Sequence, residues 1–298
     1  MCYTWKRRAT VASKLSLPTV RTCQSVYMHL FKASKTQKVL QTLSVTCALV
    51  IGVTTQAAPL RLCYEDVDQP PWTYGDGHGL AMDLLRKVAN SLGEEFVFSG
   101  KPWKRCIEEV RAGIVDGVVG AADVPERHDF VEYPRDTNGK VDTNAMLWHD
   151  HFYLFATTES KVEWDGVRFL NLTGSIATQR GYSVVYWLKQ QGVPYAAESK
   201  DADELLRLLT SNLASAVIIQ GPVAVKMATN DSRFKGKVRT LAKPYRSEAL
   251  YLIVNKQSYA KASDRINAIW QAITKHRQSA EYQASEAKAL NKFMNSPD

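Results

Sequence analysis

The sequence predicts an α/β protein made of two lobes around a cleft. Two observations carry this. Between residues 60 and 120, short apolar segments alternate with amphipathic stripes in the order strand, helix, strand, helix, strand. That alternation is the mark of a parallel sheet covered on both faces. A second α/β run occupies residues 175–241, and a further strand and helix then close the chain. Two such units with a C-terminal return leave a cleft between them.

The 298 residues carry a formal charge of +8, but the excess is local. Residues 1–57 hold Lys6, Arg7, Arg8, Lys14, Arg21, Lys32, Lys35 and Lys38 and no acid. Removing those eight from the 38 Lys and Arg leaves 30, equal to the 30 Asp and Glu. The body is neutral, which argues against a nucleic-acid partner. The leader has a secretory layout. Lys32, Lys35 and Lys38 form a basic region, residues 39–55 an apolar one, and Thr55-Gln56-Ala57 a small-residue cleavage site, so the mature chain is expected to begin at Ala58. Met28 gives a leader of normal length and is the expected true start. The alternative is a membrane anchor, for which the apolar run is at the short edge. No later run approaches a membrane span, so an exported, soluble protein is expected in the periplasm.

The body opens with a strand over residues 60–64. Leu80, Leu84, Leu85, Val88 and Leu92 form the next helical stripe, stopped by Gly93. Residues 95–98 are a second strand. Pro102 and Trp103 open a helix with Cys106, Ile107, Val110 and Ile114 on one stripe, ended by Gly113. Residues 117–120 form the third strand, and a polar turn delivers Arg127. Ligands of such sheets sit beyond the carboxyl ends of the strands. Residues 65–72, 101–103 and 121–127 gather there.

Residues 136–144 are a polar loop, and 146–157 are aromatic and extended. Residues 175–178 are a strand, and Ser183 is placed to cap a helix over 184–190 that Gly192 ends. Asp201 and Glu204 form a capping-box start for a helix over 202–211. Residues 216–219 are a buried strand, Gly221-Pro222 opens another helix, and 238–241 and 249–254 are strands. A helix with Ile266, Ile269, Trp270 and Ile273 closes the chain.

Of five cysteines, Cys2, Cys23 and Cys47 fall in the leader, leaving Cys63 and Cys106. In an oxidising compartment these two can pair, since one lies on the first strand and the other on the helix that crosses back over it. Equally, they are two small buried hydrophobes. Two cysteines make no metal site, and His149-Asp150-His151 is a weak metal pattern without further His or Cys nearby. No phosphate loop, nucleophile elbow or Ser-His-Asp set stands out, so neither a cofactor nor catalysis is expected. Asn171-Leu172-Thr173 matches a glycosylation sequon by pattern only.

The ordered set LRLCYEDVDQPPWTY, GHGLAMDLLRKVANSLG, KPWKRCIEEVRAGIVDGVVGAADVPER, TQRGYSVVYWL and LLRLLTSNLASAVIIQ resembles the bacterial periplasmic solute-binding proteins of polar amino acid ABC transporters, over residues 59–290. The resemblance implies a bilobed type II clamshell. Lobe one would be residues 58–150 plus 246–298, and lobe two residues 151–245 with hinge segments at its ends. Its work would be to capture a small amino acid or carboxylate by hinge closure and deliver it, as a monomer, to an inner-membrane ABC permease.

The resemblance also implies roles. Arg127 matches the arginine that grips the ligand carboxylate, for which a guanidinium fork is suited; otherwise it is a surface arginine. Trp72 and Trp103 match the ligand-sandwiching aromatics, or else pack in the core. Where relatives place Ser or Thr, this chain has Gly120 and Ala122, leaving only backbone groups. Gly181-Tyr182-Ser183 matches the carboxylate-binding turn at a helix N-terminus. One departure stands out: the acid for the ligand ammonium aligns with Gln220, a neutral amide. Either Glu65 or Asp66 replaces it, or the ligand is not an ordinary α-amino acid; both acids could also be solvated loop residues. Arg105 is a second cation near the cleft or a helix-surface residue. Two alternatives stay open: an enzyme using Glu65 or Glu248 as its acid, or a sensory module.

Overall fold

The computed structural model describes residues 58–296. The expected leader, its cleavage site and the start at Met28 lie outside the described residues. Strand β1 (Leu60–Glu65) is followed by α1 (Leu80–Leu92), β2 (Phe96–Lys101), α2 (Trp103–Arg111) and β3 (Gly117–Ala122). A short 3-10 turn (Pro125–Arg127) and β4 (Val131–Glu132) lead to the long β5 (Trp148–Thr157). Then come β6 (Glu163–Trp164), β7 (Phe169–Leu170), β8 (Ile176–Gln179), α3 (Ser183–Gln190), β9 (Tyr195–Ser199) and α4 (Ala202–Thr210). The chain continues through β10 (Ala216–Gln220), α5 (Val223–Asn230), β11 (Val238–Thr240), β12 (Arg246–Asn255), α6 (Lys256–Lys261), α7 (Ser263–Arg277) and α8 (Ala280–Asn295). Among the described residues, no helix is long and apolar enough to cross a membrane.

The main sheet runs β2-β1-β3-β12-β5-β10-β8-β9, with β4 on β12 and β11 on β5. The two α/β runs are parallel, as expected: β1 pairs β2 and β3, and β8 pairs β10 and β9. Outside these runs the sheet is mixed. The last strand, β12, runs antiparallel to both β3 and β5, and β5 is antiparallel to β10. The two long strands β5 and β12 therefore lie side by side between two parallel halves.

Apolar stripes cover both halves. Leu84, Leu85 and Val88 of α1 pack with Ile269, Trp270 and Ile273 of α7 against Leu62 and Leu252. On the opposite face Cys106 and Val110 of α2 cluster with Cys63 and Val118. In the second half Leu205, Leu206 and Leu209 of α4 meet Val217 and Ile219 of β10. Ile114 leaves its expected stripe: α2 stops at Arg111, Gly113 turns left-handed at φ 70°, and Ile114 is 51% exposed. The capping box at α4 is half made. The Asp201 carboxylate accepts the Asp203 N–H, but Glu204 takes the Ser199 hydroxyl, and Ser199 itself accepts the Asp201 N–H.

Gly120 shows why the Trp148 ring of β5 can lie so close to the backbone of β3. Its φ is 86°, and a Cβ there would lie 2.4 Å from Cη2 of Trp148. Left-handed backbone costs a non-glycine residue about 1–2 kcal/mol, and overpacking about 1–3 more. Gly120→Ala is therefore expected to lower stability by about 2–5 kcal/mol in denaturant unfolding. A loss below about 0.5 kcal/mol, the range of ordinary surface changes, would refute this contact.

Candidate functional site

The carboxyl ends of β1 and β3 and the start of α2 face the N-terminus of α3 and the end of β10. They enclose a cavity lined by Glu65, Gln69, Trp103, Gly120, Ala122, Arg127, Trp148, Tyr182, Ser183 and Gln220 among others. Its volume is about 20 Å³, room for about one water molecule. Eight residues singled out in the sequence thus meet in one place. Asp66 and Trp72 do not join them. They line an adjoining cavity of about 430 Å³ with Asp68, Asp150 and Lys200, and Gln69 and Gln220 stand between the two.

Arg127 is buried at 7% exposure, not a surface arginine. The 3-10 turn after β3 aims it inward. Nη1 donates to the Ala122 carbonyl at 3.0 Å and Nη2 to the Gly181 carbonyl at 3.3 Å. Its guanidinium lies 5.5 Å from the Trp103 ring centroid. The Trp103 indole N–H also donates to the Gly181 carbonyl, at 3.0 Å. Two donors of the first half thus converge on one carbonyl oxygen of the second. The Ala122 carbonyl is shared, since it also accepts the Tyr133 hydroxyl at 2.8 Å.

Trp72 stacks on Trp148, with centroids 5.9 Å apart and planes at 14°. Trp148, unnoticed in the sequence, is the ring that meets the cavity, and Trp72 backs it. Ser183 does not cap α3; Tyr182 is the N-cap and makes no side-chain cap bond. The Ser183 hydroxyl donates instead to Glu248, at 2.5 Å. Glu248 also accepts the Trp187 indole at 2.8 Å and Arg246 at 3.0 Å, so this acid is committed to holding α3 on β12. Arg105 is an exposed helix residue paired with Glu109 at 2.8 Å.

Gln220 donates to Asp150 Oδ2 at 3.3 Å and lies 3.5 Å from Gln69 Oε1. Asp150 is thus the carboxylate nearest the aligned amide, on the crossing strand rather than on either predicted segment. Alternation along β5 turns it inward and leaves His149 exposed, with the His149 and His151 rings 5.3 Å apart. No cluster able to hold a metal is found among the described residues. Burial pushes the Asp150 carboxyl up to about 6, against the His151 N–H and the Gln220 amide, which favour its charged form. Asp66 pairs with Lys200 at 3.1 Å across the two halves.

Glu65, the last residue of β1, is 3% exposed, and neither carboxylate oxygen has a hydrogen-bond partner. Burial, and then the adjacent Asp66, raise its carboxyl from the ordinary 4.5 to about 8, and Lys200 and the nearby Trp103 backbone N–H only partly oppose them. Tyr182 opposite is pushed well up by burial and by the Glu65 and Asp150 charges; its hydroxyl accepts Gln69 Nε2 at 2.8 Å. Between pH about 4.5 and about 8 the folded chain therefore holds a proton that the unfolded chain releases. Stability falls as pH rises through that window. Glu65→Gln is expected to flatten that slope and to melt higher than wild type at pH 8. Melting curves at pH 5 and pH 8 with equal slopes for both proteins would count against a neutral Glu65.

The expected disulfide is present. Cys63 of β1 and Cys106 of α2 are bonded, with Cα atoms 5.5 Å apart and both side chains fully buried. It ties the strand that ends in Glu65 to the helix that begins with Trp103.

No protein-family model and no curated protein sequence matches the chain. Solved structures do match its fold. A histidine kinase sensor domain with similarity to periplasmic binding proteins has a TM-score of 0.62 at 17% identity, covering 79% of this chain and 97% of that one. The amino acid ABC transporter substrate-binding protein AbpA from Streptococcus pneumoniae, bound to L-arginine, gives 0.60 at 17% identity, over 80% of this chain and 97% of that one. The GluR0 ligand-binding core from Nostoc punctiforme, in complex with L-glutamate, gives 0.57 at 19% identity, over 78% and 99%. The chain therefore has the type II periplasmic-binding-protein fold, two α/β lobes joined by a two-segment hinge.

Proposed function

We propose that this protein captures a small polar solute bearing a carboxylate, an amino acid or a related acid, by closing two lobes around it in the periplasm. The observation that carries this is Arg127: a buried guanidinium turned into a cavity whose walls come from both halves of the sheet. Lobe one comprises residues 58–150 and 246–298, and lobe two residues 151–245, with β5 and β12 as the hinge. Lobe one binds first through Arg127 and Trp103. Lobe two then closes with the turn at Gly181–Ser183 and with Gln220, and burial of the solute favours the closed state. In this reading the Gly181 carbonyl marks where lobe-one donors converge, and a solute carboxylate takes those donors over. The cavity grows as the lobes part, so its present size is no bound on the solute.

Neighbouring structures carrying L-arginine or L-glutamate support an amino acid. The amino acid ABC transporter substrate-binding proteins among them support delivery to an inner-membrane ABC permease, which this protein would serve as a monomer. The match to a sensor domain favours a second reading, in which the same capture feeds a signalling partner. The test is thermal shift of the purified protein against amino acids, small carboxylates, amines and short peptides. A bound solute raises the melting temperature by mass action, by about 2.7 kcal/mol of stability at a hundredfold excess over Kd. No shift with any member would sink the capture reading. Uptake of the identified solute in cells lacking the protein then separates transport from sensing.

A further inference from the structure

Glu65 is the ionisable group of the cavity that no cation answers. Its two oxygens lack hydrogen-bond partners at 3% exposure. Every cation that faces it is otherwise engaged. On its own strand Asp66 adds a like charge. On β2 the residue paired in register, Lys101, gives its ammonium to Glu109 at 2.5 Å. From the segment between β9 and α4, Lys200 is held by Asp66 at 3.1 Å. Arg127 donates to the Ala122 and Gly181 carbonyls. Tyr182 accepts from Gln69 and keeps its own hydroxyl hydrogen for Glu65, so what stands opposite is a neutral donor and not a cation, and Asp150 on β5 is a second acid acting on Tyr182. A carboxylate so placed is costly to ionise without a cation, and a neutral carboxyl is the cheaper state.

We propose that the captured solute brings this cation: a positively charged nitrogen that seats on the Glu65 carboxylate and displaces a proton held there, so that each capture releases a proton to solvent. The inference rests on the solute-capture reading of the same cavity. The step balances simply. The carboxyl O–H breaks, its proton passes to water, and an N–H···O bond from the ammonium takes its place; no electrons are exchanged. Arg127 then serves the anionic end and Glu65 the cationic end, which selects aminocarboxylates. A dicarboxylate would set a second anion against Glu65. The high-lying Glu65 carboxyl, near 8, agrees with a proton resident there at neutral pH.

The test is calorimetric titration of the wild-type protein with the twenty L-amino acids and with succinate and L-lactate, in two buffers of different ionisation enthalpy. An amine-bearing binder is expected to release about one proton at pH 6–7. Its affinity is expected to rise about tenfold per pH unit and level off above the Glu65 titration. Succinate and L-lactate are expected not to bind. Glu65→Gln is expected to weaken the amine-bearing binder at least about tenfold and to remove the pH dependence; should this variant not fold, the wild-type proton count decides alone. Binding of succinate or L-lactate as tight as that of any amino acid overturns the inference and leaves solute capture standing. So does amino acid binding without proton release. Failure of every probe to bind overturns the capture reading and this inference with it.

Discussion

Arg127→Ala is expected to abolish solute binding while leaving a folded protein. The guanidinium is the buried cation of the cavity, and its fork is the feature suited to a carboxylate. Truncating one partner of a buried, hydrogen-bonded charge pair costs about 2–5 kcal/mol, so affinity should fall by at least about 30-fold. Arg127→Lys keeps the charge but loses the planar fork and the contact with the Trp103 ring, and should still bind about tenfold more weakly. Folding is expected to survive, because the Arg127 hydrogen bonds go to two carbonyls, Ala122 and Gly181, and Ala122 keeps the Tyr133 hydroxyl. Titration with the solute identified by thermal shift checks this. Binding within about threefold of wild type, about 0.6 kcal/mol, would remove Arg127 from the site.

Removing the disulfide should give the largest loss of stability. Cys63 and Cys106 are 43 residues apart, and closing a loop of that length in the unfolded chain corresponds to about 4 kcal/mol on the chain-entropy account. At about 2–4 °C per kcal/mol for a chain of this size, the double variant Cys63→Ala/Cys106→Ala should melt about 8–16 °C lower. The loss should reach the cavity too, since the bond joins the wall bearing Glu65 to the wall bearing Trp103. Scanning calorimetry with thiol titration of the parent protein decides it. A drop under about 3 °C would mean that packing of α2 on β1 already supplies the constraint.

The first α/β run was legible because its segments are periodic and punctuated: α1 spans the stripe from Leu80 to Leu92, and Gly93 ends it in a left-handed turn at φ 68°. The direction of β12 was not, since strand direction depends on which distant segment it pairs with. Strand β9 carries two alanines and lies at the sheet edge, and the two-residue strands β6 and β7 have no period to read. In the site, Arg127 and Trp103 could be placed because they follow strand ends directly. Trp148 and Asp150 could not, because an aromatic extended run does not say which of its faces turns toward the cavity. Ser183 was misassigned as a cap for want of any sign that Glu248, 65 positions later, would claim its hydroxyl.

The place of β12 has a consequence for how the molecule is born. It is inserted between β3 and β5, pairing Val254 with Gly117 and Leu250 with Trp148. A polypeptide delivered N-terminus first, from a ribosome or through a translocation pore, thus lacks the middle of its own sheet until Asn255 has emerged. Until then β3 and β5 present open edges, and the contacts that close them span from 94 residues (Phe152 to Arg246) to 137 (Gly117 to Val254), which slows folding. Threading and folding are thereby kept apart in time. The sheet is completed only when nearly the whole chain has arrived.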